Sequence, residues 1–300
     1  MKKVSLAIAW NWEYDLEFVQ SIERECRARD ISTFQITENN LRETLAGMKA
    51  GRLQMRGFFD RASDEHEGFV PLVALMEQQS AQVLNRHEHL ERAKDKATMH
   101  LELMSHGLHV PYTIIISPYN HKKEMELSLS QLEQLGRPFI IKPANTTGGG
   151  VGVVMGAETL KEVIDTRQHH KNDKYLLQQT IFPASLDGRR AWFRAFYALG
   201  ETFLCWWDDR THLYAEVTPE EEKRFALRKM RTMLKTIAEV CRLDFFSSEI
   251  AVTSGAPKFV AIDYVNEICD MRLQSKHADG VPDRTVHAIA KQIAEWAMKR

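Results

Sequence analysis

The chain has 300 residues, with 40 lysines and arginines against 41 aspartates and glutamates and a formal charge of −1. This balance argues against nucleic acid or anionic lipid as a partner, and the length allows more than one domain around a sizeable core. The four cysteines, Cys26, Cys205, Cys241 and Cys269, are scattered without a CxxC pair, which speaks against a disulfide framework or a zinc cluster. No apolar run approaches a membrane span, and the Met-Lys-Lys-Val-Ser-Leu start reads as a strand and not a signal peptide, so the expected location is the cytoplasm.

From the N-terminus, residues 4–9 read as a buried strand, 15–29 as an amphipathic helix with Phe18, Ile22 and Cys26 on one face, and 31–36 as a second strand. A βαβ beginning of this kind favours a parallel sheet. A helix over 41–48, a strand over 56–59 and a helix over 69–84 complete an α/β domain expected to span residues 1–90. Beyond it, a helix runs from the charged segment 91–98 through Met104, followed by a strand at 112–116 and a helix at 124–135. A strand ending at Lys142, a glycine-rich hairpin, a helix over 158–167 and a strand over 175–179 come next. Residues 191–199 and 202–207 pair across Gly200-Glu201 as a hairpin. The Thr218-Pro219-Glu220-Glu221 capping box opens a long helix whose buried stripe is Leu227, Met230, Leu234, Ile237 and Cys241. Strands at 245–252 and 258–265 and a helix from Arg284 close the chain.

Chemistry concentrates first between Pro138 and Met155, which reads PFIIKPANTTGGGVGVVM. Side chains alternate along a strand, so Ile140 and Lys142 share a face, and Pro143 stops the ladder just past the lysine. Glycines at 148, 149, 150 and 152 would let backbone amides approach phosphate oxygens. A P-loop needs its lysine after the glycines, and a dinucleotide fingerprint needs a helix there; this segment has neither. An ordinary glycine-rich hairpin is the other reading.

The last two strands flank Thr253-Ser254-Gly255-Ala256-Pro257. A hairpin centred on Ala256 sets Glu249 and Asp263 opposite each other, with Ala251 and Ala261 on their face and Phe246, Ile250, Val252, Val260, Ile262 and Tyr264 on the other. Facing carboxylates repel, and Mg²⁺ with phosphate oxygens would relieve them, Asn266 adding a neutral oxygen. The alternatives are a register one residue off or a solvated edge beside lysine or arginine.

Other positions carry two readings each. Lys96 opens a helix, where a surface charge is the ordinary case. Arg194 alternates inward with Trp192 and Phe196 and needs an anion, either phosphate or a core carboxylate. Gln178 and Gln179 end an apolar strand, where they read an adenine edge or simply finish a sheet. The loops 10–14 and 60–64 follow strands, where α/β sites open, and Arg61, Arg272 and Lys276 are candidates to meet a substrate carboxylate or phosphate.

In this order the pieces resemble the ATP-grasp superfamily, of the glutathione-synthetase type. They are Asp95-Lys96, Gly107-x-x-Val110-Pro111, Ile141-Lys142-Pro143, the 146–152 loop, Leu177-Gln178-Gln179-x-Ile181, Arg194, Glu249 and Asp263. The resemblance covers roughly residues 91–272 and implies an α/β (α+β) fold. An N-terminal Rossmann-like pre-ATP-grasp domain would precede a two-part ATP-grasp domain, with a lid subdomain over about 91–177 and a larger one over 178–300. It implies ATP and Mg²⁺ as cofactors. Lys96 and Lys142 would contact the phosphates under Thr147, Gly148, Gly149 and Gly150, while Ile141, Gln178, Gln179, Ile181 and Ile262 would hold the nucleotide. Glu249, Asp263 and Asn266 would bind metal, Arg194 with Lys142 would serve the transferred phosphoryl group, and Arg272 and Arg61 would meet the substrate.

The sequence departs from the family pattern in three places. Two residues separate Asp263 from Asn266 where one is usual, which a bulge would accommodate. Gln178 stands where many relatives have Glu, and the proline after the asparagine is replaced by Ile268-Cys269-Asp270-Met271-Arg272. The resemblance implies a ligase that activates a carboxylate as an acyl phosphate for attack by an amine or thiol. A kinase of this fold acting on a polyol-type alcohol, and a nucleotide-binding regulatory protein with little turnover, are the alternatives. The expected partner is a small molecule, a carboxylate or amino acid; a homo-oligomer is compatible, and neither nucleic acid nor membrane is expected.

Overall fold

The computed structural model describes residues 1–64, 66–145, 152–256 and 258–299. The first layer is built from β1 (Lys2–Trp10), α1 (Leu16–Arg27), β2 (Thr33–Ile36), α2 (Glu38–Lys49), β3 (Leu53–Arg61), α3 (Val70–Gln78) and β4 (Gln82–Leu84). Its four strands are parallel in the order β2-β1-β3-β4. Val4, Ala7 and Ala9 pack with Phe58, Phe69 and Met76, while Leu6 and Ile8 pack with Phe18 and Phe59. Burial on both faces explains why β1 reads as an unbroken apolar run. The helix expected over 69–84 ends at Gln78. Ser80 takes φ 57 and the Ala81 amide reaches back to the Met76 carbonyl, a left-handed cap that frees residues 82–84 to join the sheet.

The second layer holds α4 (His87–Lys94), α5 (Lys96–Ser105), β5 (Thr113–Ile116), α6 (Leu129–Leu135), β6 (Phe139–Pro143), β7 (Val154–Ala157), α7 (Leu160–Thr166) and β8 (Tyr175–Gln179). Its antiparallel sheet has the order β5-β8-β6-β7. The single helix expected from 91 through 104 is divided at Asp95, whose backbone is extended and whose carboxylate caps α5 by accepting from the Ala97 and Thr98 amides. The helix expected from 124 begins only at Leu129, where Ser128 and Gln131 form a capping box.

The third layer comprises β9 (Ser185–Leu186), β10 (Arg189–Arg190), β11 (Trp192–Ala198), β12 (Glu201–Trp207), β13 (Tyr214–Glu216), α8 (Pro219–Arg224), α9 (Arg228–Cys241), β14 (Phe245–Val252), β15 (Phe259–Asn266) and α10 (Asp283–Met298). The antiparallel order β13-β12-β11-β14-β15 includes the expected β11–β12 hairpin. The long helix expected after Thr218 is two helices. Ala226 takes φ 55 and the Leu227 amide returns to the Glu222 carbonyl, which ends α8 and re-aims α9. Met230, Leu234 and Ile237 of α9 cover one face of this sheet. On the other face, Val286, Ile289 and Ile293 of α10 pack among Leu6, Ile8, Phe59, Phe196 and Phe245, so the last helix joins the core of the N-terminal layer. The whole is the mixed α/β architecture expected, one parallel sheet with antiparallel sheets following it. No described helix is long and apolar enough to cross a membrane.

Candidate active site

The cleft between the β6/β8 face and the central sheet is set out by strand register. Arg194 pairs with Glu249, and Glu249 with Asp263, so one rung across β11, β14 and β15 carries a cation and both carboxylates. The facing of Glu249 and Asp263 is as the sequence suggested, but the register shifts on either side of it. From Ser247↔Asn266 through Glu249↔Asp263 to Ile250↔Ala261, β15 carries an extra residue at each step.

The bulges change which residues meet the cleft. Ala261, expected on the carboxylate face, packs with Ile250 in the core under α9. Val260 and Ile262, expected on the opposite face, join Trp192 and Ala251 in an apolar floor against which Ile181 and Trp207 pack. Ile262 and Asp263, adjacent in sequence, therefore serve an apolar and a charged part of one site. The same irregularity returns Asn266 to a position opposite Ser247 despite its unusual spacing. The Asn266 amide, oriented by its neighbours, donates to the Ile268 carbonyl at 2.9 Å and accepts from Arg194 Nη1 at 3.3 Å.

Cations surround the carboxylates. Lys142 Nζ lies 3.7 Å from Asp263 Oδ1, and Arg194 Nη2 lies 2.6 Å from Glu249 Oε1. Trp192 Nε1 donates to Glu249 Oε2 at 3.2 Å, and the Arg194 guanidinium stacks over Trp207 at 4.5 Å. The Lys96 amide donates to the Ala144 carbonyl at 3.0 Å, joining the start of α5 to the end of β6 and bringing the two lysines together. Burial alone would push the Asp263 carboxyl up, but Lys96, Lys142 and Arg194 together hold it below its ordinary range. For Glu249, burial outweighs Arg194 and the carboxyl is raised, while burial pulls Lys142 down against the pull of Asp263. The repulsion anticipated from sequence is thus offset by cations already in place.

Two carboxylates and an amide oxygen suit Mg²⁺, which keeps waters and phosphate oxygens in its octahedron. Among the described residues, no group of three or more histidine, cysteine, aspartate or glutamate side chains could hold a metal. That donor set fits a metal shared with a polyphosphate better than one caged by protein.

At the other end of the cleft, Gln178 pairs with Ile140 and so lies on the sheet face that carries Lys142. Its Nε2 donates to Tyr264 Oη at 3.1 Å and to Thr113 Oγ1 at 3.4 Å. Gln179 is half-buried and its amide is held by the Tyr112 carbonyl at 2.8 Å. Gln178 reaches Tyr264, whose ring carries Lys142 Nζ, and Ile181 and Ile262 share an apolar cluster with Trp192, which donates to Glu249, so these candidates are linked to the charged rung through two aromatic side chains.

Other candidates are placed elsewhere. Ile141 is on the opposite face from Lys142, fully buried among Ile114, Leu135, Phe139 and Leu177, so its side chain serves the core and not the nucleotide. Arg61 is not open to a substrate. It makes a two-pronged bond to Asp15 at 2.6 and 2.8 Å and a third to the Cys269 carbonyl at 2.9 Å. Arg272 lies over Trp12 and Tyr14, but its charge is already met by Asp270 at 2.7 Å and Asp279 at 2.8 Å. Thr147, Gly148, Gly149 and Gly150 fall outside the described residues. The sequence reading missed Trp207 and the floor role of Trp192, although alternation along β11 already put Trp192 on the face of Arg194.

It also missed His100, whose Nδ1 is 2.6 Å from Tyr264 Oη, beneath a ring that carries Lys142 Nζ at 5.6 Å from its centre. Burial, then Lys142, push the His100 imidazole down to about 4 from an ordinary 6.5. Because the folded state binds this proton less readily than the unfolded one, stability is full above pH 6.5 and falls as pH drops towards 4. The loss over that window is about 3 kcal/mol. Denaturant unfolding at stepped pH should show that slope in the wild type and lose it in His100→Leu. Parallel slopes would contradict it.

No protein-family model matches the sequence, and no curated protein matches it. Solved structures do match, along their whole length. The ATP-bound D-alanine–D-alanine ligase from Bacillus anthracis aligns with 13% identity and TM-score 0.64, covering 100% of this chain and 98% of that one. A RimK domain ATP-grasp protein from Sphaerobacter thermophilus aligns with 18% identity and TM-score 0.65, covering 97% and 99%. The ATP-grasp ligase PsnB, complexed with a minimal precursor, Mg and ADP, aligns with 13% identity and TM-score 0.65, covering 99% of each chain. Sheet order, cleft and these likenesses agree: the chain has the ATP-grasp fold.

Proposed function

We propose that the chain is an ATP- and Mg²⁺-dependent ligase that activates a carboxylate as an acyl phosphate for attack by an amine or thiol. One observation carries this reading. Glu249 and Asp263 face each other on a rung with Arg194, Lys142 and Lys96 close by, next to an apolar floor of Trp192, Ile181 and Ile262. Magnesium ATP, when bound, would supply a phosphoryl group to the substrate carboxylate. Glu249, Asp263 and Asn266 would hold the metal, and Lys96 and Lys142 would neutralise phosphate charge. Gln178, Gln179, Ile181 and Ile262 would hold the base. Arg194, stacked on Trp207 and fixed by Glu249, would meet the phosphoryl group in transfer, where preorganised donors contribute most.

The internal pairing of Arg61 and Arg272 bears on the substrate. Neither is available as a ready cation, so recognition of a small carboxylate or amino acid would fall on the cleft's backbone and aromatic groups, Trp12 and Tyr14 among them. A structure of similar fold, the macrocyclase MdnC, was crystallised with a precursor peptide, which favours a peptide as a further form of the substrate.

Hydroxylamine traps acyl phosphates and spares phosphate monoesters. Incubation with Mg-ATP and a library of amino acids, small carboxylates, peptides and polyols should give carboxylate-dependent ADP release together with hydroxamate. A stable phosphorylated alcohol without hydroxamate would instead make the chain a kinase. Nucleotide binding without acceptor-stimulated turnover would make it a regulatory binder.

A further inference from the structure

We propose that Tyr264 is a positioning residue for the phosphate-binding lysine, its ring face keeping the Lys142 ammonium in the cleft once a metal claims the neighbouring carboxylate. This rests on the nucleotide-binding reading above and adds the group that holds its lysine in place.

In a strand with a strict period of two, Asp263 and Tyr264 would point to opposite faces, and only one of them could meet Lys142. Here β15 carries one residue more than β14 between the rungs Glu249↔Asp263 and Ser247↔Asn266. A bulge of this kind re-aims a side chain beside a site. Lys142 Nζ is met by both neighbours, lying 3.7 Å from Asp263 Oδ1 and over the Tyr264 ring at 5.6 Å from its centre. The unusual spacing of Asp263 and Asn266 thus comes with an aromatic face against the lysine.

The ring is fixed in orientation. Its hydroxyl lies 2.6 Å from His100 Nδ1 and accepts from Gln178 Nε2 at 3.1 Å, with the Thr113 side chain as a further partner, and the residue is 1% exposed. A ring anchored at its far end inside a close-packed interior cannot turn its face away from Lys142.

The two partners of Lys142 respond differently to a ligand. Asp263 belongs to the proposed metal set, so a bound cation would claim its oxygens and weaken its hold on the lysine. At that moment the site gains positive charge, and Lys142 already feels Lys96 beside it. Repulsion would then drive the ammonium out of the cleft. The aromatic face is not a metal ligand, so it stays in place, and its negative quadrupole attracts the ammonium most strongly where water is excluded. Lys142 is buried, which meets that condition. Tyr264 itself touches no ligand in this scheme.

The test is Mg-ATP affinity by calorimetric titration, with folding checked by circular dichroism, for wild type, Tyr264→Phe and Tyr264→Leu, and for the same two substitutions combined with Lys142→Met. Tyr264→Phe removes the hydroxyl and its bonds but keeps the face, and Tyr264→Leu removes both, so the ratio between them reads the ring. With Lys142 present, Tyr264→Phe should bind Mg-ATP about five- to thirtyfold more tightly than Tyr264→Leu. With Lys142→Met the two should agree within about twofold. Replacing Tyr264 by pentafluorophenylalanine keeps the shape of phenylalanine and leaves the face electron-poor, so it should bind no more tightly than Tyr264→Leu, and it decides the matter if the leucine variant does not fold. A role in packing alone would give the same ratio whether lysine or methionine stands at 142. That result, or phenylalanine and pentafluorophenylalanine variants within about twofold of each other, would overturn the inference while leaving nucleotide binding intact. A wild-type chain that binds no Mg-ATP would overturn the underlying reading as well.

Discussion

Arg194→Lys should lower acceptor-dependent ADP release by about a hundred- to a thousandfold, the usual loss when one preorganised donor to a transition-state oxyanion is removed. The guanidinium carbon lies over Trp207, 4.5 Å from the ring centre, and Nη2 is given to Glu249 at 2.6 Å, so the group is positioned before any substrate arrives. Lysine retains a charge for Glu249 but has neither the plane that stacks nor the fork that aims. Nucleotide affinity should move far less, since Lys142 and Lys96 stay in place. Steady-state kinetics with parallel calorimetry separates the two effects, and an equal loss in turnover and affinity would assign Arg194 to binding alone.

Asp15→Ala should destabilise the fold by about 3–5 kcal/mol, the cost of leaving one partner of a buried ion pair uncompensated. The Asp15 and Arg61 side chains are 2% and 1% exposed, and Phe18 and Phe59 lie beside the guanidinium. Arg61 also holds the Cys269 carbonyl at 2.9 Å, so the pair ties the N-terminal layer to the segment just beyond β15. Urea unfolding of wild type and variant measures the loss. A difference below about 1 kcal/mol would mean that water reaches the site and screens the pair.

Those two arginines also show what the sequence made legible. The rung of Arg194, Glu249 and Asp263 could be read because alternation along strands and the symmetry of one short hairpin are local properties. Arg61 could not be read correctly because its partner is 46 residues away and 208 separate it from its carbonyl. Nothing local distinguishes an arginine aimed at a buried aspartate from one aimed at a ligand. The bulges of β15 were foreseen only as a remedy for the spacing of Asn266. Their effect on Val260, Ala261 and Ile262 was missed because a strict period of two assigns faces without regard to inserted residues. The breaks at Ser80 and Ala226 were missed for a related reason. Both are non-glycine residues in left-handed backbone, where composition gives no warning. Most strands were found because their apolar runs outweigh such local exceptions.

Calorimetric titration with ATP, with and without Mg²⁺, tests most directly whether Lys142 meets a metal-bound nucleotide. Lys142→Met keeps the buried stem and removes the charge, so packing is largely preserved. The wild type should bind ATP in a Mg²⁺-dependent manner, and the variant should bind it about 10- to 150-fold more weakly, the equivalent of one charge-assisted hydrogen bond of about 1.5–3 kcal/mol. Equal affinities for wild type and variant, or no Mg²⁺-dependent binding by the wild type, would contradict the account.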